Sequence, residues 1–223
     1  MGELSLTESF SKELIKESQD PVLDIAEIGL DSIFDSKLID EVPVLKSIAA
    51  VCKIGLNIRD RYFANKILSF INEFKKNKLD EKKYNEFKTK MENQDYKSKV
   101  TETIIVRLDA LDDINKTIII AKLVSAFINK KISWEEFLEF SNVGNYLVKE
   151  DYETLKLFNK DSANLINFDT HERKDLKGSA YKLVQYSLVT YEISTMLFFG
   201  SSPASVTHKI TEKGIKFWDS LNA

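Results

Sequence analysis

The chain has 223 residues, of which 43% are hydrophobic and 30% charged, and its formal net charge is −3. This composition is typical of a globular protein with a sizeable core, and the scarcity of proline and glycine favours helices over a turn-rich β fold. The single cysteine, Cys52, excludes an intramolecular disulfide. Together with an acidic N-terminal segment that lacks a signal-peptide core, it predicts a cytoplasmic protein.

Apolar residues in the first third of the chain recur at helical spacing. A first helix is predicted to end before Pro21 and a second to begin there, because proline suits the first turn of a helix but restricts the residue before it. The third predicted helix covers residues 42–77, and Gly55 could introduce a kink within it.

The middle of the chain, to about residue 158, is also predicted to be helical. Ser133 and Glu136 have the spacing of a capping box, in which each side chain bonds the backbone N–H of the other. Asp80 is predicted to cap a short charged helix, and Asp151 a last short helix. Two further helices are predicted between them, over 97–112 and 115–130.

The C-terminal part changes character after a polar segment. A helix over 173–186 is followed by a predicted strand over 188–199, a turn, a strand over 205–210 and a final helix. The segment from His208 to Gly214, HKITEKG, resembles the Tyr-x-Leu-Thr-x-x-Gly ending of many bacterial winged-helix domains. We therefore predict a mainly α fold.

The predicted domain organisation has two parts. A multi-helix N-terminal domain over 1–158 contains the apolar helix 42–77, and a winged-helix-like α+β module covers 171–223. The module lacks a strongly basic recognition helix, so DNA binding does not follow from the fold. The only candidates for nucleic-acid contact are Arg173, Lys174, Lys177 and Lys182.

No pattern in the sequence indicates an enzyme, a metal site or a cofactor. The segment 132–138 resembles the second helix of an EF-hand, but regularly spaced oxygen ligands do not precede it. His171 lies among acidic residues without paired ligand spacing, and a surface loop explains it better than a metal site. His208 alternates within a predicted strand and is interpreted as a wing residue. We expect a non-enzymatic protein without cofactors.

The apolar stretch 42–58 is the most unusual part of the sequence. As a helix it carries a narrow polar stripe of Lys46, Lys53 and Asn57, continued by Asp60. Small residues would let neighbouring helices approach closely, namely Ala49, Ala50 and Gly55. The stretch is either the central helix of a core or a helix that can leave it. Two lysines within a short run mean that it is not a conventional transmembrane helix.

The charged residues that follow this stretch have two interpretations. Arg59, Asp60 and Arg61 could form an ion-pair network at the end of a buried helix. Alternatively, Lys46, Lys53 and Asn57 line a polar path in an oligomer. The residues that would then fix depth and register at an anionic membrane surface are Arg59, Asp60, Arg61 and Lys66.

Three segments carry a family resemblance: 24–31 (DIAEIGLD), 42–45 (VPVL) and 58–61 (IRDR), the last leading into a helix rich in Phe, Lys and Leu. Their succession resembles small bacterial antiphage-defence proteins, in particular the membrane effector of Hailong-type systems. The resemblance implies a homo-oligomer, held inactive by a nucleic-acid or nucleotide signal, that opens an ion path through the inner membrane.

Two functions are thus predicted. The first is an oligomeric defence effector that associates with the inner membrane. The second is a soluble winged-helix regulator or adaptor that binds nucleic acid or a partner protein. Both are non-enzymatic, and both work by assembly.

Overall fold

The computed structural model describes residues 5–16, 44, 46–48, 58–159, 165–194 and 205–222. The described chain is mainly helical and has a small two-stranded antiparallel sheet near the C terminus, which confirms the predicted α-rich fold with a C-terminal α+β module. The chain divides into two compact units, Met1–Ser141 and Asn142–Ala223. The predicted domain limits, 1–158 and 171–223, stay a prediction.

The first unit is built from helices, joined in one place by a short 3-10 turn. They are α1 (Leu6–Ile15), α2 (Ile58–Lys76), α3 (Glu81–Lys90), α4 (Gln94–Asp109), the turn Ile114–Lys116, α5 (Thr117–Ile128) and α6 (Trp134–Tyr146), the last of which contains the unit boundary. The predicted helix 42–77 is helical at 44, 46–48 and 58–76, and its residues 49–57 lie outside the described chain, as does the predicted helix that begins at Pro21.

Several of these helices begin at a residue whose side chain bonds a backbone N–H of the first turn, as the sequence predicts. The Ser133 hydroxyl accepts from the Glu136 N–H at 3.2 Å, and Glu136 accepts from the Ser133 N–H at 2.7 Å, so the predicted capping box is confirmed. The Asp80 carboxylate accepts from the Lys83 N–H at 3.0 Å, which confirms it as the cap of α3.

The core of the first unit forms where α2 packs along α5. The face of α2 that lies in the core carries apolar residues at helical spacing. On this face the rings of Phe70 and Phe74 stack with centroids 5.9 Å apart. Phe10 of α1 reaches the same cluster, 5.4 Å from Phe70. A second aromatic cluster joins α3, α5 and α6 and consists of Phe87, Phe127, Trp134 and Phe137.

Lys66 is a lysine of α2 whose side chain enters the interior. The residue is only 3% exposed, and its Nζ donates to the carbonyls of Asp109 at 2.6 Å and Leu111 at 3.0 Å. Asp109 ends α4 and Leu111 follows it, so these carbonyls lie where the helix leaves backbone acceptors unpaired. Burial lowers the pKa of Lys66. Lys66 therefore ties α2 to the end of α4, and it does not occupy the surface position that membrane anchoring would need.

We expect Lys66→Met to lower the free energy of unfolding by about 1–3 kcal/mol, because the buried Leu111 carbonyl and the part-buried Asp109 carbonyl lose their donor while the aliphatic stem is kept. Urea denaturation of the full chain measures this loss. The matched control is Lys76→Met, on an exposed position of the same helix, which should change stability by less than about 0.5 kcal/mol. Equal, small effects of the two substitutions would contradict the structural role of Lys66.

The second unit combines helices with the sheet. Its elements after α6 are α7 (Lys149–Asn159), the 3-10 turn Lys174–Leu176, α8 (Lys177–Gln185), β1 (Val189–Ser194), β2 (Ser205–Ile210) and α9 (Glu212–Leu221). The order helix, strand, strand, helix is the one predicted from the sequence. Residues 195–199 of the predicted strand 188–199 lie outside the described chain.

Asp151 takes a different place from the predicted one. It lies in the first turn of α7, where its carboxylate accepts from the Val148 N–H at 2.8 Å, and it is not the cap residue before the helix. The side chain is buried and also accepts from Lys182 Nζ at 2.7 Å. A carboxylate in the first turn complements the helix dipole, and Lys182 balances its charge.

Candidate functional site: the open edge of the two-stranded sheet

The residues predicted to line a polar path are only partly described. Lys46 is exposed, whereas Val44 and Ile48 on either side of it are buried in the first unit. The Ser47 hydroxyl lies 2.5 Å from that of Ser9 on α1. This end of the apolar stretch thus packs within the core. The remaining predicted path and packing residues lie outside the described chain: Lys53, Asn57, Ala49, Ala50 and Gly55.

The start of α2 is the most exposed part of that helix. Arg59 pairs loosely with Asp109, at 3.7 Å between Nη2 and Oδ2, and Arg61 is exposed while Asp60 is half-buried. An exposed pair of this length contributes little to stability. Within the described ranges, no helix combines the length and the apolarity needed to cross a bilayer.

Arg173 heads the candidates for nucleic-acid contact, but it is engaged by two carboxylates. Its Nη2 lies 2.8 Å from Asp175 and 3.2 Å from Glu153. The hydrogen bonds that Arg173 donates to Asp175 and Glu153 raise the pKa of Arg173, and the same bond to Asp175 lowers the pKa of that carboxyl. The guanidinium therefore joins α7 to the segment before α8, and its charge is largely compensated.

The other candidates behave similarly, with one exception. Lys177 donates to Asp169 at 2.5 Å, and Lys182 donates to buried Asp151 at 2.7 Å. Lys174 is exposed. A surface that binds phosphates gains affinity from cations whose charge is available, and three of these four cations already face a carboxylate.

His171 has a local role in the same segment. Its Nδ1 accepts a hydrogen bond from the Arg173 backbone N–H at 3.0 Å, and its ring lies 5.9 Å from that of Phe168. Over the part of the chain that the structure describes, no three His, Cys, Asp or Glu side chains cluster in a way that could hold a metal ion.

A cleft in the first unit lies between α1 and the pair α2 and α3, and the Glu13–Lys75 ion pair lines it. The two charged groups are 3.2 Å apart and almost fully buried. Tyr84 donates to the Leu14 carbonyl at 2.9 Å on the same wall. Because these polar groups bond across the cleft walls, we assign them to the packing of α1.

The sheet of the second unit has a defined register. β1 and β2 pair antiparallel, with Val189 opposite Ile210, Tyr191 opposite His208 and Ile193 opposite Val206. On the far side of β2, His208 forms an isolated bridge with Ile166: its N–H donates at 2.8 Å and its carbonyl accepts at 2.9 Å.

This bridge determines which backbone groups of β1 face outward. In an antiparallel ladder, the N–H and C=O of one residue point to the same side, and successive residues alternate. The backbone N–H and C=O of His208 point away from β1. The backbone groups of its neighbours Thr207 and Lys209 therefore point toward β1, where they pair with Glu192 and Thr190. The backbone groups of alternate residues on β1 then point to the opposite edge. These residues are Val189, Tyr191 and Ile193.

No described strand covers this outer edge of β1, which we call the open edge. Two of its residues also carry exposed apolar side chains: Tyr191 is 47% and Ile193 57% exposed, whereas Val189 is buried. An edge strand with apolar side chains and unpaired backbone groups is a ready template for another strand. This edge is therefore suited to binding an additional β-strand through main-chain hydrogen bonds.

The junction that follows β2 holds the open edge in place. The Thr211 N–H donates to the Leu188 carbonyl at 3.0 Å, and the Thr211 hydroxyl donates to the Ser187 carbonyl at 2.7 Å. The same hydroxyl caps α9 by accepting from the Gly214 N–H at 2.9 Å. A Cβ on Gly214 would lie 2.0 Å from the Leu188 carbonyl oxygen, so only glycine fits. The residues that resemble a winged-helix ending thus fix the end of β2 against the start of β1.

The buried side chain of His208 packs against Tyr191 of the open edge. It is 1% exposed, and its ring lies 5.1 Å from Tyr181, 5.5 Å from Phe168 and 6.4 Å from Tyr191, measured between ring centroids. Neither ring nitrogen has a hydrogen-bond partner among the described residues. Burial lowers the pKa of His208, so the ring is neutral near pH 7.

Comparison of the chain with protein-family models, with curated proteins and with solved structures finds no match. The resemblances to winged-helix domains and to defence effectors therefore stay predictions.

The sequence indicated the strand but not its open edge. Tyr191 and Ile193 alternate with Thr190 and Glu192, which is the pattern of a half-buried strand. A predicted sheet of two strands must also leave an edge uncovered. What the sequence could not show is which residues point outward, because that depends on the bridge between Ile166 and His208.

We expect the second unit to lose stability as the pH falls below about 6.5, the ordinary pKa of histidine. The folded-state pKa of His208 is lowered, so the unfolded state binds more protons and stability is greatest above that pH. The nearest charges, Asp169 and Lys177, compensate each other. Thermal unfolding between about pH 5 and 8 measures the effect.

His208→Phe should remove this part of the pH dependence, since the ring remains apolar and no proton is taken up on unfolding. His171→Asn, which keeps a hydrogen-bond acceptor for the Arg173 N–H, serves as the control and should retain it. The explanation is wrong if His208→Phe unfolds with the same pH dependence as the original chain.

Proposed function

We propose that the chain is a non-enzymatic adaptor that binds a partner protein through its C-terminal module, with an extended segment of the partner adding to the open edge of β1. This develops the second of the two predicted functions. The observation that carries the proposal is the coincidence, at Tyr191 and Ile193, of outward backbone groups and exposed apolar side chains. Main-chain pairing provides affinity in strand addition, and the alternate side chains provide specificity.

A partner protein is favoured over nucleic acid by the distribution of charge. Arg173, Lys177 and Lys182 face carboxylates within hydrogen-bond distance. The exposed aromatic side chains Tyr181 and Tyr191 are in ring contact with His208, and Ile193 on the same strand as Tyr191 is also exposed. Interface centres are enriched in aromatic residues and depleted of lysine and acidic residues.

The membrane effector stands as a second proposal because of one feature. Ile58, at the start of α2, is 88% exposed and is followed by the exposed Arg59 and Arg61. Apolar and basic side chains together at a surface suit an interface with anionic lipid. The burial of Val44 and Ile48 supports the adaptor instead, since these residues belong to the stretch that the effector would insert.

Fluorescence anisotropy with labelled extended peptides, in which threonine alternates with aliphatic residues, tests the adaptor. Binding should be lost in Ile193→Pro, because proline removes the outward N–H at an edge position that tolerates it. The matched control is Glu192→Ala: this side chain is exposed and its backbone groups bond β2, so binding should be retained.

Two outcomes would contradict the adaptor. One is equal peptide binding by Ile193→Pro and the original chain. The other is the absence of peptide binding combined with dye leakage from anionic vesicles that Arg59→Glu abolishes, which would favour the membrane effector.

A further inference from the structure

We propose that the open edge selects partner segments in which a basic residue, lysine or arginine, is flanked on both sides by an apolar residue. The inference rests on the proposed function and names the chemistry of its partner. It follows from Tyr191, Glu192 and Ile193, three successive residues of β1 whose side chains alternate between the two faces of the sheet.

The part of the open edge that can receive a strand is short. Val189 is 1% exposed, and β1 packs against α8. Of the three outward residues, Tyr191 and Ile193 combine outward backbone groups with an exposed side chain. Each of these two residues offers one N–H donor and one C=O acceptor. Because the main-chain pairing is this short, the side chains of the added segment have a large share in its affinity.

One face of the sheet is apolar at this end of β1. Tyr191 lies directly opposite His208, and such pairs place their side chains on the same face. Ile193, two residues further along β1, faces the same side. Tyr181 of α8 is 41% exposed and its ring lies 5.1 Å from that of His208, so it adds an aromatic side chain to this face. A segment that pairs with Tyr191 and Ile193 therefore needs apolar side chains at the two matching positions.

Glu192 projects from the opposite face, which is polar. Its neighbours on β2 are Thr207, directly opposite, and Lys209, on the diagonal. The Glu192 side chain is exposed, and no ion pair joins it to Lys209 or to any other residue of the described ranges. On the side of the open edge, this face thus presents a negative charge that no described cation neutralises.

An added strand places one residue beside Glu192 on the polar face. The backbone groups of Glu192 bond β2, so in an antiparallel pair it takes a non-hydrogen-bonded position of the new edge, where side chains approach most closely. Opposite charges across such a pair stabilise it, and like charges destabilise it. Lysine or arginine is therefore favoured at this position of the segment. Side chains also alternate in a parallel strand, so the order apolar, basic, apolar holds for both directions.

Fluorescence anisotropy with three labelled peptides tests this selectivity on the full chain. The peptides have alternating threonine and aliphatic residues, and the central threonine is kept, replaced by lysine or replaced by glutamate. The lysine peptide should bind about three- to tenfold more tightly than the glutamate peptide, with the threonine peptide between them. Added salt should reduce this difference, because the charge pair is exposed.

Glu192→Lys should reverse the order, so that the glutamate peptide binds more tightly than the lysine peptide. Glu192→Ala should bind the three peptides with similar affinity. The matched control is Glu172→Lys, which changes the net charge by the same amount at an exposed position outside the sheet and should preserve the order. This control separates pairing at Glu192 from a general attraction of basic peptides to a chain whose formal net charge is −3.

Equal affinity of the original chain for the lysine and glutamate peptides would overturn the inference. An order that Glu192→Lys leaves unchanged, or that Glu172→Lys also reverses, would overturn it as well. If the peptides in these cases still bind in a manner lost in Ile193→Pro, the adaptor function stands, because main-chain pairing does not depend on the charge of Glu192. If none of the three peptides binds the original chain, both proposals fail.

Discussion

The backbone bridge between His208 and Ile166 is the constraint on which the candidate site depends. By directing the His208 N–H and C=O away from β1, it commits Thr207 and Lys209 to the strand pair and leaves Tyr191 and Ile193 pointing outward. A shift of one residue would reverse this assignment and move every side chain of the strand to the other face. The buried imidazole and the glycine that fits beneath the Leu188 carbonyl oppose such a shift.

Internal ties account for several basic side chains that look like surface contacts in the sequence. Lys66 bonds carbonyls at the end of α4, Lys182 balances a buried carboxylate in α7, and Arg173 joins two segments of the second unit. Each of these cations contributes to the fold through charge-assisted hydrogen bonds. With the charge of Lys182 and Arg173 compensated by carboxylates, the binding proposed for the second unit relies on apolar contact and main-chain pairing at β1.

Features determined by neighbouring residues could be predicted from the sequence, whereas features determined by distant ones could not. The Ser133–Glu136 box and the Asp80 cap follow from spacing along the chain, and so does the helix, strand, strand, helix order near the C terminus. The place of Lys66 depends on carbonyls 43 and 45 positions away. The open edge depends in turn on a bridge across β2, which no pattern within β1 reveals.

Amide hydrogen exchange along β1, followed residue by residue by NMR with and without an extended peptide, tests the central claim most directly. The Thr190 and Glu192 amides should be protected in both samples, because they bond β2. The Tyr191 and Ile193 amides should exchange rapidly in the chain alone and become protected when the peptide pairs with them. Rapid exchange of Tyr191 and Ile193 in both samples, or protection of these two amides in the chain alone as a monomer, would contradict an open edge that receives an extended segment.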